Sequence, residues 1–421
     1  MTANPDNRRD TFDVLIVGGG MAGASLACAL GGQPLRVALV EAVAFGDAGP
    51  PSYDDRTTAL SHATRMIFEG IGVWPALAPS AEPIRSIHVT DRGHVGTAHL
   101  RAAELGLPAF GYVVPNRALG SVLIETVRQL DNVELVNPAT VQGITRDEDT
   151  VTVSVREGRA TRRLRARLLV GADGTESPLR DMLGIGAVRR AYGESAVVAN
   201  VTPVRPHGGT ARERFTADGP MALLPAAGDR YAVIWTARSE RVDELMSLDD
   251  ATFLRALEAR FGGRVGPFRE AGRRHVYPLA QVVARQLVAD RVALVGNAAH
   301  TLHPVAGQGF NLGLRDVALI AELVVRAARA GEPPGSGTLL QRYAAARRRD
   351  LWRTSGLTEG LLRTFSSRVA AVVAGRNLGM IGLDLAGPLR HAFTRGAMGV
   401  SADMPWLARG RPLSTLPAGA A

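Results

Sequence analysis

Phe12-Asp-Val-Leu-Ile-Val17-Gly18-Gly19-Gly20-Met21-Ala22-Gly23 opens the first ordered region of the chain, and Leu35-Arg-Val-Ala-Leu-Val40-Glu41 completes it. The first six residues read as a buried strand, Met21 to Leu30 as a small-residue helix, and Leu35 to Val40 as a second buried strand. Strand, glycine turn, helix, strand and acid form one βαβ unit. In such a unit Gly18 permits the tight turn, Gly20 lets a pyrophosphate approach the backbone, and Gly23 lets helix and sheet pack closely. The helix start at Met21 and Ala22 then faces negative charge. Glu41 lies eighteen residues beyond Gly23, where it can accept both hydroxyls of an adenosine ribose. An acid there opposes a 2′-phosphate, so the unit is expected to bind FAD or NAD rather than NADP.

Outward from this unit, β-like and helical stretches alternate. Asp54 to Leu77 reads as a loop leading into a helix, Ile84 to Leu100 as β-like, and Pro115 to Leu130 as a helix with Pro115 near its start. Thr150 to Arg156 alternates with period two. Leu164 to Val170 is an apolar strand running into Gly171-Ala172-Asp173-Gly174, and Arg291 to Val295 is another that ends at Gly296-Asn297. Residues 194–285 are mainly β, Asn311 to Ala330 is a strongly apolar helix, and Leu339 to Arg395 continues mostly helical. From Ser401 onward Pro and Gly suggest a loose tail. The predicted class is α/β: a Rossmann-like nucleotide domain assembled from separated pieces, a β-sheet second domain built from the segments between them, and C-terminal helices.

Composition narrows the chemistry. The 421 residues, 46% hydrophobic and 21% charged, describe a globular chain of one large or two ordinary domains. There is no lysine, so all 49 basic residues in the Lys+Arg total are arginine. Schiff-base, PLP and P-loop chemistry are thereby excluded. A single cysteine, Cys28, excludes an internal disulfide and a Cys-rich metal site and suits a reducing cytoplasm. The formal charge of +9 permits anionic partners. The arginines are scattered, however, with no helix-turn-helix or aromatic RNA motif, so nucleic acid is not expected. No apolar run reaches the ~18 residues of a membrane span. His300 and His303 lack the companion ligands a metal needs, so no metal is expected.

The downstream motifs decide between FAD and NAD. Asp173-Gly174-x-x-Ser177-x-x-Arg180 and Gly296-Asn297-Ala-Ala-His300, following the glycine fingerprint in that order, resemble the FAD-dependent aromatic hydroxylases, the group A flavin monooxygenases. The longer run Leu294-Val-Gly-Asn-Ala-Ala-His-Thr-Leu-His-Pro-Val-Ala-Gly-Gln-Gly-Phe-Asn-Leu-Gly-Leu-Arg-Asp316 is similar to the ubiquinone-biosynthesis hydroxylases, nearest to their UbiH-type branch. Arg56-Thr-Thr-Ala-Leu-Ser61 and Tyr112-Val-Val-Pro-Asn-Arg117 resemble segments of the same family.

The resemblance implies a GR2-type FAD-binding domain in segments 1–80, 111–182 and 286–335. A substrate domain would occupy 81–110 and 183–285, and a helical region and tail 336–421. It implies FAD as cofactor and NAD(P)H as a transient donor. The reaction would be hydroxylation of a polyprenylated phenol by O2 through a flavin C4a-hydroperoxide. The alternatives are a same-fold flavoprotein acting on another aromatic or isoprenoid substrate, and a catalytically silent FAD-binding subunit. The implied location is cytoplasmic; peripheral contact with the inner face of a membrane, or with a biosynthetic complex, stays open.

By the same resemblance Arg56 and Arg117 contact FAD, with a surface salt bridge as the plainer alternative. Asp173 and Gly174 lie by the pyrophosphate, and Gly296 and Asn297 by the ribityl chain. Most relatives have Asp at position 297; Asn keeps one acceptor oxygen and adds two donors. Gly307, Gly309, Phe310 and Asn311 would meet the flavin ring through backbone N–H groups at a helix start, which favour negative charge there. His303 and Pro304 are expected to line the active site, and His300 is either a lining residue or a satisfied core histidine. Leu224, Tyr231, Trp235 and Tyr277 are candidate walls of a substrate pocket. Leu361, Phe365, Val369, Val372 and Val373 form an apolar stripe that suits helix packing, a tail channel or a bilayer surface.

Overall fold

The computed structural model describes residues 10–46, 56–94, 96–216, 218–263, 265–303, 307–387, 390–391, 394, 396, 398–399 and 404–417. Its first sheet orders the strands Val288–Ala289, Val292–Leu294, Ala160–Gly171, Thr11–Val17, Val37–Val40 and Val133–Val136. The pairings from Val292–Leu294 to Val133–Val136 are parallel. Strand Ala160–Gly171 changes character along its length. Residues 160–166 pair antiparallel with Val151–Glu157, and only Leu164 and Ala166 among them are buried, alternating with arginines, whereas Leu168 to Gly171 is fully buried between parallel neighbours. That is the difference between a half-solvated hairpin and a strand covered on both faces.

Helix Met21–Leu30 buries Gly23 to Leu30 against this sheet and packs on the long helix Gln308–Arg329. Small residues allow that close approach. The helix predicted from Pro115 is Asn116–Arg128, with Pro115 in the capping position.

The second sheet runs His300–Thr301, His275–Ala284, Ala187–Pro203, Arg230–Arg238, Gly219–Ala226, Thr210–Thr216, Ser86–Asp91 and Thr97–Arg101. Helix Asp250–Phe261 covers its back. Phe253, Leu254, Leu257 and Phe261 pack there with Val197, Leu223, Tyr231, Val233 and Trp235. A small third sheet, Thr57–Ser61 with Gly111–Pro115 and Glu82–Ile84, joins the two lobes. Its first strand falls where the sequence suggests only a loop. The short run Thr-Thr-Ala-Leu-Ser pairs because Gly111–Pro115 lies beside it.

The loose tail expected after Ser401 needs correction for residues 404–417. Leu407, Ala408, Leu413 and Leu416 are buried in the main core. The Trp406 N–H donates to Glu322 at 2.6 Å, and Arg329 donates to the carbonyls of Leu413 and Leu416. Four apolar side chains among prolines and glycines thus hold this segment against helices His62–Gly70 and Gln308–Arg329. No helix of the described residues is long and apolar enough to cross a membrane.

Candidate active site

A cavity of about 880 Å³ extends from the glycine turn to the second sheet. At its first end Gly18 has φ +103°, and a Cβ on it would lie 2.5 Å from the Ala172 carbonyl oxygen. A Cβ on Gly23 would lie 1.9 Å from the Gly18 oxygen, so no side chain fits. Helix Met21–Leu30 has neither a capping side chain nor an acid in its first turn. Its free N–H groups and positive dipole end are left for an anion. Glu41 is buried on the cavity wall and accepts the N–H groups of Gly19 at 2.6 Å and Val43 at 2.8 Å. Those bonds fix the carboxylate, and its remaining lone pairs can still take ribose hydroxyls.

Asp173 lies beside the glycine turn. It accepts Ser177 Oγ at 2.6 Å and the Leu179 N–H at 2.9 Å, and so ties down the start of helix Pro178–Met182. Burial pushes its carboxyl above the ordinary value, against the lowering effect of these hydrogen bonds. Asp173, Gly174, Gly296 and Asn297 all line the cavity. Arg180 donates to the Ala298 carbonyl at 3.1 Å and to Thr175 at 3.0 Å, joining the two turns.

The Gly296 turn is held from behind by a group for which the sequence reading assigned no role. Asp316, fully buried on helix Gln308–Arg329, accepts the Gly296 N–H at 2.9 Å, His300 Nε2 at 2.7 Å and Arg347 Nε at 2.5 Å. Arg347 also pairs with Asp350, which receives Arg315 at 2.7 Å. Burial alone pushes the Asp316 carboxyl up, but the charges of His300 and Arg347 outweigh it, and Asp316 titrates below the usual carboxylate range. His300 is thus a core histidine of this network and is not on the cavity wall. The available signal is an adjacent Arg315–Asp316 charge pair inside a mostly apolar helix run.

Farther along come Gly307, Gly309, Phe310 and Asn311, all on the cavity wall. Asn311 makes four side-chain hydrogen bonds. Its oxygen accepts the Ser61 N–H at 2.8 Å and Thr64 Oγ1 at 2.7 Å, and its nitrogen donates to the carbonyls of Ala59 at 2.9 Å and Gly307 at 2.7 Å. The side chain stitches the helix start to strand Thr57–Ser61 and leaves the first-turn backbone N–H groups as what this segment offers a ligand. Phe310 packs toward Phe68, with ring centroids 6.4 Å apart.

The remaining expected site residues divide between the cavity wall and other places. Arg56 lines the cavity, with its guanidinium 4.4 Å from the Tyr277 ring centre, but Tyr277 itself is not on the wall. Arg117 is exposed in the first turn of its helix and off the cavity. His303 is buried away from it, 3.6 Å from Glu194 Oε2 and edge-on to Tyr192. Pro304 lies outside the described residues. Leu224 lines the chamber at the second sheet, together with Ile84, Ile87, Leu100 and Phe110. Tyr231 and Trp235 point to the opposite face of that sheet and into its packing with Phe253. Both faces are apolar, so composition could not tell wall from core. Among the described residues no group of three or more His, Cys, Asp or Glu could hold a metal.

A glycine turn, the buried carboxylate of Glu41, two loop turns and a helix start all border one continuous cavity. This arrangement fits an extended dinucleotide and defines a dinucleotide-binding protein. A family model described as an FAD binding domain matches residues 11–356. Ubiquinone hydroxylase UbiL of Rhodospirillum rubrum is 40% identical over 404 residues, 95% of this chain and 93% of that protein. The 3-demethoxyubiquinol 3-hydroxylase of Escherichia coli is 32% identical over 92% of this chain and 98% of its own length. The solved structure of p-nitrophenol 4-monooxygenase PnpA from Pseudomonas putida shares the fold with a TM-score of 0.76 at 20% identity, covering 93% of this chain and 99% of that one.

The chain belongs to the FAD-binding hydroxylase family that includes these ubiquinone hydroxylases. It is an FAD-dependent monooxygenase, with NAD(P)H as electron donor.

Proposed function

We propose that this enzyme hydroxylates the aromatic ring of a polyprenylated phenol in ubiquinone biosynthesis, using NAD(P)H and O2. The observation that carries the reading is the continuity of the cavity. One passage leads from the glycine cradle to an apolar chamber walled by Leu224, Ile234, Ile87, Leu100 and Phe110. The names of the relatives at 40% and 32% identity support the substrate class.

When bound, FAD supplies the redox chemistry, taking electrons from NAD(P)H and activating O2. The residues of the chain do the rest. Gly18, Gly20, Gly23 and the start of helix Met21–Leu30 hold the pyrophosphate, and Glu41 holds the adenosine ribose. Asn297 faces the ribityl chain. Backbone N–H groups from Gly309 to Asn311 oppose negative charge on the ring, which a lysine-free chain must do with dipoles or arginine. The apolar chamber excludes water and accepts the substrate ring.

Peripheral membrane contact belongs to the same reading. On helix Ala370–Leu385 and the residue before it, Val369, Val372, Leu378, Ile381 and Leu385 are exposed, and Arg363 and Arg368 are exposed nearby. Apolar side chains beside arginine suit an anionic bilayer. Phe365, by contrast, stacks on Phe215 at 3.7 Å and belongs to the packing.

The test is NAD(P)H oxidation by flavin-loaded enzyme with prenylated phenols, with product mass recorded. Stimulated oxidation and the gain of one oxygen atom are expected. Oxidation that no prenylated phenol stimulates would instead favour the silent subunit or another substrate. Cosedimentation with anionic but not zwitterionic vesicles checks the membrane contact.

A further inference from the structure

Within the chamber, one carboxylate stands on a wall that is otherwise largely apolar. Glu213 lies on strand Thr210–Thr216, and the register of the sheet fixes the direction of its side chain. It is directly opposite Ala222, which is opposite Ile234, and on its other side it is opposite Val89. Cross-strand partners share a face and successive residues alternate. Ala211, two residues earlier, packs with Ile84, Val113 and Leu224 on the cavity side. Arg212, between them, borders the cavity too, but the alternation turns its side chain to the other face. Its partner Leu223 packs toward Phe253, and its guanidinium lies 3.3 Å from His88 Nδ1. Glu213, Ala222, Leu224, Ile234 and Thr236 thus form one surface, and all of them line the cavity.

We infer that Glu213 anchors the substrate ring by accepting a hydrogen bond from its phenolic hydroxyl. A carboxylate offers about four lone-pair sites in two directions, so it can hold neighbours in the protein and still take a donor from the chamber. Hydrogen bonds to an ionised acceptor are the stronger kind, and they gain strength where water is excluded. Ala211, Ala222, Leu224 and Ile234 offer no side-chain hydrogen-bonding group, and Thr236 on the same surface brings a neutral hydroxyl but no carboxylate. The anchor therefore selects a free phenol over its ether and sets which edge of the ring is turned toward the Gly307–Asn311 end. This inference rests on the phenol-hydroxylase reading and adds to it the group that recognises the hydroxyl.

The experiment compares ortho-prenylphenol with its O-methyl ether, in the flavin-loaded wild type and in Glu213→Gln. Binding is followed by the change in the visible flavin spectrum, and KM and kcat are measured separately. The wild type should prefer the phenol. Glu213→Gln should keep its flavin, lose about tenfold or more in phenol affinity, and leave ether affinity where it was. Glu213→Asp, which keeps the charge one methylene back, should recover part of the loss and serves if the glutamine variant folds poorly. Equal weakening toward phenol and ether, or none toward either, overturns the anchor. So does a wild type that hydroxylates the phenol but binds the ether equally well, an outcome that leaves the hydroxylase reading intact. A wild type that neither binds nor oxidises any prenylated phenol removes both.

Discussion

At the glycine-turn end of the cavity the wall is mostly main chain and small residues, Gly18, Gly20, Ala22 and Gly296, with the start of helix Met21–Leu30 and the single fixed carboxylate of Glu41 beside them. At the opposite end it is side chains standing on a sheet: Glu213, Leu224, Ile234 and Thr236. The first end is rigid because a Cβ would collide with backbone and because the buried Asp316 network holds its turn. The second end takes its shape from which residue occupies each alternate position. Chemistry common to a family suits the first construction, and choice of substrate suits the second, where one side chain can change without moving the main chain.

The largest effect expected from this contrast comes from Gly23→Ala. With 1.9 Å available between the new Cβ and the Gly18 oxygen, the turn cannot close, and the purified variant should carry no visible flavin. A fully yellow variant would break the contrast.

Asp316→Asn comes next. It should cost about 3–5 kcal/mol in denaturant unfolding, because it removes the buried charge between His300 and Arg347 and leaves Arg347 with Asp350 as its remaining acid. The pH dependence has a definite sign. Asp316 titrates below its unfolded value, so its contribution is present above the ordinary carboxylate range and is lost as pH falls through the lowered folded value. An acid-unfolding titration should show that loss in the wild type and not in the variant.

Leu407→Ala should cost about 2–3 kcal/mol of stability by emptying a buried site in the main core, with no change in substrate KM. Calorimetry and steady-state kinetics together check it. Leu224→Trp should do the reverse. By overfilling the chamber it should raise the KM for a prenylated phenol by about tenfold while flavin content stays at the wild-type level.

The same contrast governs what the sequence discloses. Gly18, Gly23, Glu41 and Asp173 are legible because backbone geometry demands particular residues at fixed spacings, and the helix at Gln308 is legible from its apolar periodicity. Glu213 is not, since an acid within Thr-Ala-Arg-Glu-Arg-Phe reads as one more solvated charge until the register is known. Tyr231 and Trp235 were drawn toward the pocket by their size, although the sheet has two apolar faces and they occupy the one under helix Asp250–Phe261. Strand Thr57–Ser61 depends on a partner more than fifty residues away. Residues 404–417 depend on contacts with Glu322 and Arg329, which no local composition announces.

The amide of Asn311 has one last implication. Everything it grips is an amide, a carbonyl or a hydroxyl, none of which gains or loses a proton across the range in which enzymes work. The clasp at the start of helix Gln308–Arg329 is therefore electrically constant. Acidity-dependent changes in how the enzyme handles its phenol should accordingly trace to groups outside this clasp.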